Sequence, residues 1–396
     1  MRERQLTIGM VAGEASGDLL GAHLIAALRT DLPDAGFIGI GGPKMQAQGL
    51  TSLFPMERLA VRGYAEVLRH YPGLLWMRHK LKLALLEAQP QLFIGVDAPD
   101  FNLGLEAGLK RAGVPVVHYV SPSIWAWRGG RIGAIARSVD HVLTLFPFEP
   151  ELYRRAGIGA TYVGHPLADL IPEQDQTATT RERLKIAPER KVFALLPGSR
   201  QSDLRYMADT FIATAKLLAQ KIERPLFLVP LVSRETREIF EAAMYRSGAS
   251  ELPLTILFGH ARDALAAADV ALVASGTATL EAALLKKPMV ITYKMAGASW
   301  LLMRRMGYQP YIGLPNILAG EFVVPELLQH DATAENLAQA LFNALNDSVV
   351  RARLPQRFAA IHRQLKCNTA EQAARAVLAL LVARPMSNEQ RTTNNE

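Results

Sequence analysis

Cysteine is nearly absent: Cys367 is the one thiol in 396 residues. A single thiol excludes an intrachain disulfide and a cysteine-built zinc site, and it fits a reducing compartment. The nine histidines are scattered without HExxH or another ligand spacing, so no structural metal is expected. No run of about 20 apolar residues is free of charges and turn signals, so no transmembrane helix is expected. The N-terminal stretch MRERQLTIGMVAGEASGD has basic residues ahead of an apolar run. That run is only one strand long and leads into a glycine-rich turn, which argues against an export signal and for a cytosolic protein.

Two nucleotide motifs are also missing. In GEASGD (13–18) no Lys-Ser/Thr pair follows the second glycine, so this is not a Walker A loop. In GIGGPK (39–44) Lys44 stands where GxGxxG needs its last glycine, which weighs against a nicotinamide or flavin dehydrogenase. No zinc knuckle, RRM-like aromatic motif or long basic tract is found, so no nucleic-acid partner is expected.

What is present is the composition of a folded protein, 49% hydrophobic and 20% charged, long enough for two domains. The net charge of +7 suits anionic partners such as nucleotides, phosphorylated sugars or acidic lipid. Short apolar runs at 5–12, 36–42, 91–97, 114–120 and 140–146 read as strands, and helical spacing recurs at 18–30, 75–88 and 102–112. After a polar, proline-containing break the rhythm resumes, with strands at 191–197, 225–230, 252–258, 269–275 and 288–293 and helices at 203–221, 233–247 and 276–286. Nearly continuous apolar strands separated by helices predict parallel sheets covered on both faces. The expectation is therefore two Rossmann-like α/β domains facing a cleft. Residues 1–166 would form the first, 167–190 a linker, 191–350 the second, 351–384 closing helices and 385–396 a disordered tail.

LFIGVDAPDFN (92–102) ends a buried run with two carboxylates, Asp97 and Asp100. Turn chemistry explains them, and so does a ligand site, since open α/β sheets bind ligands at the carboxyl ends of their strands. GEASGD follows the first strand and opens a helix; Ser16 or Asp18 can cap that helix, or its free N–H groups can meet an anion or hydroxyl. Glu14 in that turn is harder to explain as capping alone. LPGSR (196–200) repeats the arrangement in the second half, with Gly198 and Ser199 in the turn and Arg200 offering a planar charged fork suited to phosphate oxygens. In ASGTATLE (274–281), Ser275, Gly276 and Thr277 form an anion cradle at a helix start. Glu281 lies one turn on, where it can accept ribose hydroxyls or simply complement the helix dipole. The segment 61–88 interleaves Leu, Trp and Tyr with Arg and Lys, which suits either an anionic lipid surface or a core-facing helix with basic solvent positions.

VAGEASGD, IGVDAPDFN, SPSIWAWR, FPFE, YVGHPL, LPGSR, SGTATLE and LPNILAG, in this order, closely resemble the lipid-A-disaccharide synthase family of bacterial glycosyltransferases. The likeness runs from about residue 6 to about 383. It implies a GT-B fold and no cofactor or metal. It also implies condensation of UDP-2,3-diacylglucosamine with 2,3-diacylglucosamine 1-phosphate to a β-1,6-linked disaccharide 1-phosphate and UDP, with inversion.

By the same resemblance Asp97 is the general base, with Glu14 orienting the acceptor or sharing that role, and Ser16 and Asp18 are acceptor contacts. Gly198, Ser199, Arg200, Ser275, Gly276 and Thr277 hold the diphosphate, Glu281 the ribose, and Asn316 helps place the donor. Family members commonly carry Glu where this chain has Asp203, so no substrate contact is assigned there; Glu326 and Gln329 match without an assigned role. Acylated substrates point to peripheral binding at the cytoplasmic face of the anionic inner membrane through 61–88. Two rivals are another enzyme of this architecture, a UDP-N-acetylglucosamine 2-epimerase or a soluble-acceptor glycosyltransferase, and a non-catalytic module that binds nucleotide or anionic lipid. DAPDFN and WAWR speak against the first, and the joint presence of Asp97, Arg200 and Glu281 against the second.

Overall fold

The computed structural model describes residues 6–59, 64–125, 129–297, 300–301 and 310–382. They divide into two compact units, 1–166 with 365 onward, and 167–364. The expected tail at 385–396 lies outside the described residues.

The first unit is built on seven parallel strands: β1 (Thr7–Ala12), β2 (Gly36–Ile40), β3 (Leu50–Ser52), β4 (Leu92–Val96), β5 (Val116–Tyr119), β6 (His141–Thr144) and β7 (Gly159–Tyr162). Their order is β3-β2-β1-β4-β5-β6-β7, so the chain reverses its direction of travel between β1 and β4. Such a reversal opens the crevice where doubly wound sheets bind ligands. Every residue of β4 is buried, as a central strand covered on both faces requires. Helices α1 (Ala15–Asp31), α2 (Pro43–Ala47), α3 (Tyr64–Ala88) and α4 (Pro99–Arg111) follow β1, β2, β3 and β4. The last described helix, Thr369–Val382, returns to this unit and buries Ala373, Ala374 and Val377 in the core that holds Leu24, Ile25 and Leu28 of α1.

The second unit carries six parallel strands: β8 (Lys191–Leu196), β9 (Pro225–Leu231), β10 (Leu254–Phe258), β11 (Val270–Ala274), β12 (Met289–Tyr293) and β13 (Glu326–Leu328). Their order is β10-β9-β8-β11-β12-β13, with the reversal between β8 and β11. Phe193, Phe211, Phe227 and Phe240 anchor its core, each fully buried. The stretch expected as a linker contains two short helices, Pro166–Leu170 and Thr177–Arg183. It is bound to the second unit by Arg181, 2.9 Å from Asp269, and by Lys287, whose Nζ reaches Thr177 Oγ1 at 2.5 Å. Polar composition there marks a solvent-facing, ion-paired segment. Two parallel-sheet α/β units of this kind are the architecture that the strand-helix alternation predicted.

Candidate active site

In the first unit Ala12 of β1 pairs with Val96 of β4, so the turns carrying Glu14 and Asp97 leave the sheet side by side at its carboxyl edge. They are in contact: a Cβ on Gly13 would lie 2.8 Å from the Cβ of Ala98. Asp97 is half-buried and its N–H donates to Tyr119 O at 2.8 Å. Its backbone is left-handed, φ 52°, and so is that of Ala98, φ 45°. A left-handed conformation costs an ordinary L-residue roughly 1–2 kcal/mol, so two in succession are strain that the surroundings must hold. Asp100, by contrast, is exposed and pairs with Arg131 at 2.7 Å. The two carboxylates of DAPD therefore differ in kind: one sits at the sheet edge and the other belongs to the surface.

Beneath Asp97 lies a polar cluster that sequence reasoning passed over. Asn102 Nδ2 donates to Asp97 O at 2.8 Å and lies 3.3 Å from Val11 O. Glu106 Oε1 meets His118 Nδ1 at 2.6 Å, both side chains fully buried. Burial opposes a charge on His118, but the Glu106 carboxylate against it and Asp97 nearby win, and its pKa is raised. The available signal was the polar i, i+4 pair Asn102 and Glu106 in a helix that covers a parallel sheet.

Glu14 is half-buried and is the residue preceding α1, with no side-chain cap; Ser16 is exposed. Neither Ser16 nor Asp18 caps α1. Asp18 instead accepts the N–H groups of Lys44 and Met45, each at 3.0 Å, and tethers the start of α2. A Cβ on Gly42 would stand 2.6 Å from Asp18 Oδ2, so the carboxylate is packed as well as bonded. Its geometry is that of an internal anchor, with each oxygen held by a backbone N–H at the start of α2.

Another buried carboxylate stands just past the end of β6. Glu149, in FPFE, accepts Leu145 N at 3.1 Å, Phe146 N at 2.9 Å and Trp125 Nε1 at 3.0 Å. Burial pushes its pKa up to about 7 against those hydrogen bonds. Trp125 meets Phe146 and Phe148 edge-on, at centroid distances of 6.1 and 5.3 Å, so FPFE and the SPSIW turn form one aromatic assembly. Trp127 and Arg128 of the same motif lie outside the described residues.

The second unit repeats the switch-point logic. Leu196 of β8 pairs with Val273 of β11, which brings the LPGSR and SGT turns together. Gly198 has φ 123°, and a Cβ there would collide with Asp203. Ser199 and Arg200 are exposed, and Arg200 leads helix α5 (Gln201–Lys221). Asp203 is buried and fully engaged: Arg200 N–H donates to one oxygen at 3.1 Å and Tyr293 OH to the other at 3.0 Å. It shapes the turn that presents Arg200, a role that capping logic explains.

Gly276, φ 151°, leads helix α6 (Thr277–Leu284), and a Cβ on it would meet nothing within 4 Å. Gly276 and Thr277 are exposed, leaving an open approach to the helix start. Ser275 is partly buried, with Oγ 3.4 Å from Ile312 O. Glu281 is partly buried on the same helix; burial raises its pKa and Arg262 pulls the other way.

The Asn316 side chain hydrogen-bonds inside the protein. It is fully buried, donates to Val324 O (2.9 Å) and Glu326 Oε1 (2.8 Å), and accepts from Val323 N (2.8 Å) and Val324 N (3.0 Å). Glu326 in turn accepts Ile312 N and Gly313 N at 2.9 and 2.8 Å. The pair shapes the loop beside Ser275. Among the described residues, no group of three or more His, Cys, Asp or Glu side chains is placed to hold a metal ion.

The family model described as lipid-A-disaccharide synthetase matches residues 8–377. The chain is similar to lipid-A-disaccharide synthases of Azoarcus sp. BH72, 60% identical over 94% of this chain and 96% of the relative, and of Dechloromonas aromatica RCB, 59% identical over 94% and 98%. Among solved structures it resembles an Anabaena protein in complex with UDP and glucose, at TM-score 0.56 and 16% identity over 95% of this chain and all of that one. It also resembles a trehalose-phosphate synthase from Burkholderia vietnamiensis, at TM-score 0.61 and 14% identity over 96% and 100%. The fold is that of the GT-B glycosyltransferases, and the chain belongs to the lipid-A-disaccharide synthase family.

Proposed function

We propose that the chain joins UDP-2,3-diacylglucosamine to 2,3-diacylglucosamine 1-phosphate with inversion at the anomeric carbon. The acceptor 6-hydroxyl attacks C1, the bond from C1 to the diphosphate oxygen breaks, and UDP leaves with the electron pair. Asp97 takes the hydroxyl proton. The observation that carries this reading is the held, left-handed Asp97 turn at the sheet reversal of a chain in this family.

Glu14, in the adjoining turn, orients the acceptor or shares the proton. In the second unit Arg200 and the open turn at 275–277 receive the diphosphate, and Glu281 the ribose. A general base contributes about 10²–10⁴-fold, so alignment and neutralisation of the leaving group carry the rest.

Membrane docking belongs to α3, where Leu75, Trp76 and Leu83 are exposed beside the basic side chains of Lys80 and Lys82. No described helix is long and apolar enough to cross a membrane. The test is incubation with both acylated substrates and no added metal, following UDP release and product mass. A disaccharide 1-phosphate with equimolar UDP supports the reading. UDP without disaccharide refutes the acceptor, and no UDP refutes the reaction.

A further inference from the structure

Asn102, Glu106 and His118 are fully buried polar residues that the chemistry above does not use. Asn102 Oδ1, Glu106 Oε2 and His118 Nε2 are buried without a protein hydrogen-bond partner, a cost that apolar side chains would avoid. Their placement shows what is gained. Asn102 and Glu106 lie one turn apart on α4 and both face Gly95, where a Cβ would strike Glu106 Oε1 and come within 3.3 Å of Asn102 Cβ. His118 stands opposite Gly95 in the β4–β5 register and closes on Glu106. Asn102 then spans the sheet reversal, reaching Val11 O on β1 and Asp97 O just past β4.

Two successive left-handed residues without glycine do not support themselves, and Ala98 has no side-chain polar group to stabilise its own backbone. The peptide joining them is the one whose oxygen Asn102 holds.

We infer that Asn102 is a positioning residue: its amide clamps the Asp97 carbonyl and fixes the turn that delivers the Asp97 carboxylate at the sheet edge, while Glu106 and His118 lock the helix face that carries it. This inference rests on the reading of Asp97 as general base.

The test is a double-mutant cycle on the full chain, measuring UDP release with both acylated substrates alongside UDP affinity and thermal melting. Asn102→Ala lowers kcat about 10–100-fold, because small misplacements of a reacting group cost that much, and leaves each KM and the UDP affinity within about threefold. In the Asp97→Asn background the same substitution lowers the residual rate no more than about threefold. Should Asn102→Ala fail to fold, Asn102→Ser, a donor on a shorter arm, carries the same comparison. Equal losses in both backgrounds, or a folded variant with unchanged kcat beside a crippled Asp97→Asn, would overturn the positioning role alone. Asp97→Asn turning over at the wild-type rate would overturn the base assignment and the inference with it.

Discussion

Glu149 is 1% exposed and accepts the indole N–H of Trp125 at 3.0 Å, tying the end of β6 to the SPSIW turn. Its folded-state pKa, about 7, lies above the ordinary carboxylate value because burial disfavours the charge. The folded state therefore binds this proton more tightly than the unfolded chain. Its contribution is fully present below the unfolded pKa and is lost as pH rises through about 7, amounting to at most roughly 3 kcal/mol. Urea midpoints at pH 5, 6.5 and 8 are expected to fall with pH, and Glu149→Gln to flatten that slope. An unchanged slope in the variant would refute the assignment.

Asp97→Asn removes the proton acceptor while keeping the shape of the turn. Turnover should drop about 10²–10⁴-fold. Glu14→Gln, if that side chain only orients the acceptor, should raise acceptor KM with a smaller loss of kcat. Steady-state kinetics of the two variants side by side separate the roles, and near-normal turnover in Asp97→Asn would sink the first.

Arg200 is exposed at the head of α5 and contributes little to packing. Arg200→Ala should therefore leave the melting temperature nearly unchanged and weaken UDP binding about 10–100-fold, the worth of a charge-assisted contact. Calorimetric titration with UDP decides it. Undiminished affinity would remove Arg200 from the diphosphate site.

Asn316 predicts the opposite pattern. All its hydrogen-bonding capacity is spent inside the protein. Asn316→Ala strands two backbone N–H groups and the Val324 carbonyl, so stability should fall by about 3 kcal/mol. Denaturant unfolding of the variant, with and without UDP, measures this. A full-stability variant that loses UDP affinity would instead assign Asn316 a direct contact with the donor.

Trp76 and Leu83 expose 54% and 47% of their surface on α3. Replacing both with Ser should reduce sedimentation with vesicles containing anionic phospholipid several-fold and leave UDP affinity intact. Equal sedimentation of variant and wild type would place the membrane contact elsewhere.

The central strands β1, β4, β8 and β11 were legible in the sequence because a strand covered on both faces must be apolar along its length. The glycine-bearing turns after β1, β8 and β11 were legible too, because glycine punctuates a chain locally. Edge strands β3, β7 and β13 were not: each is short and mostly half-exposed or exposed, and its only strand signal is the neighbour it pairs with. Sequence likewise determined which carboxylates and guanidinium groups the chain possesses. Only tertiary structure decided their stations: the side-chain oxygens of Asp18 and Asn316 accept backbone N–H groups from other turns, and Asp203 accepts Tyr293 OH from 90 residues away. The same holds for Asn102, whose clamp on Asp97 depends on β1 and β4 lying side by side, a pairing of residues about 80 apart that no local pattern encodes.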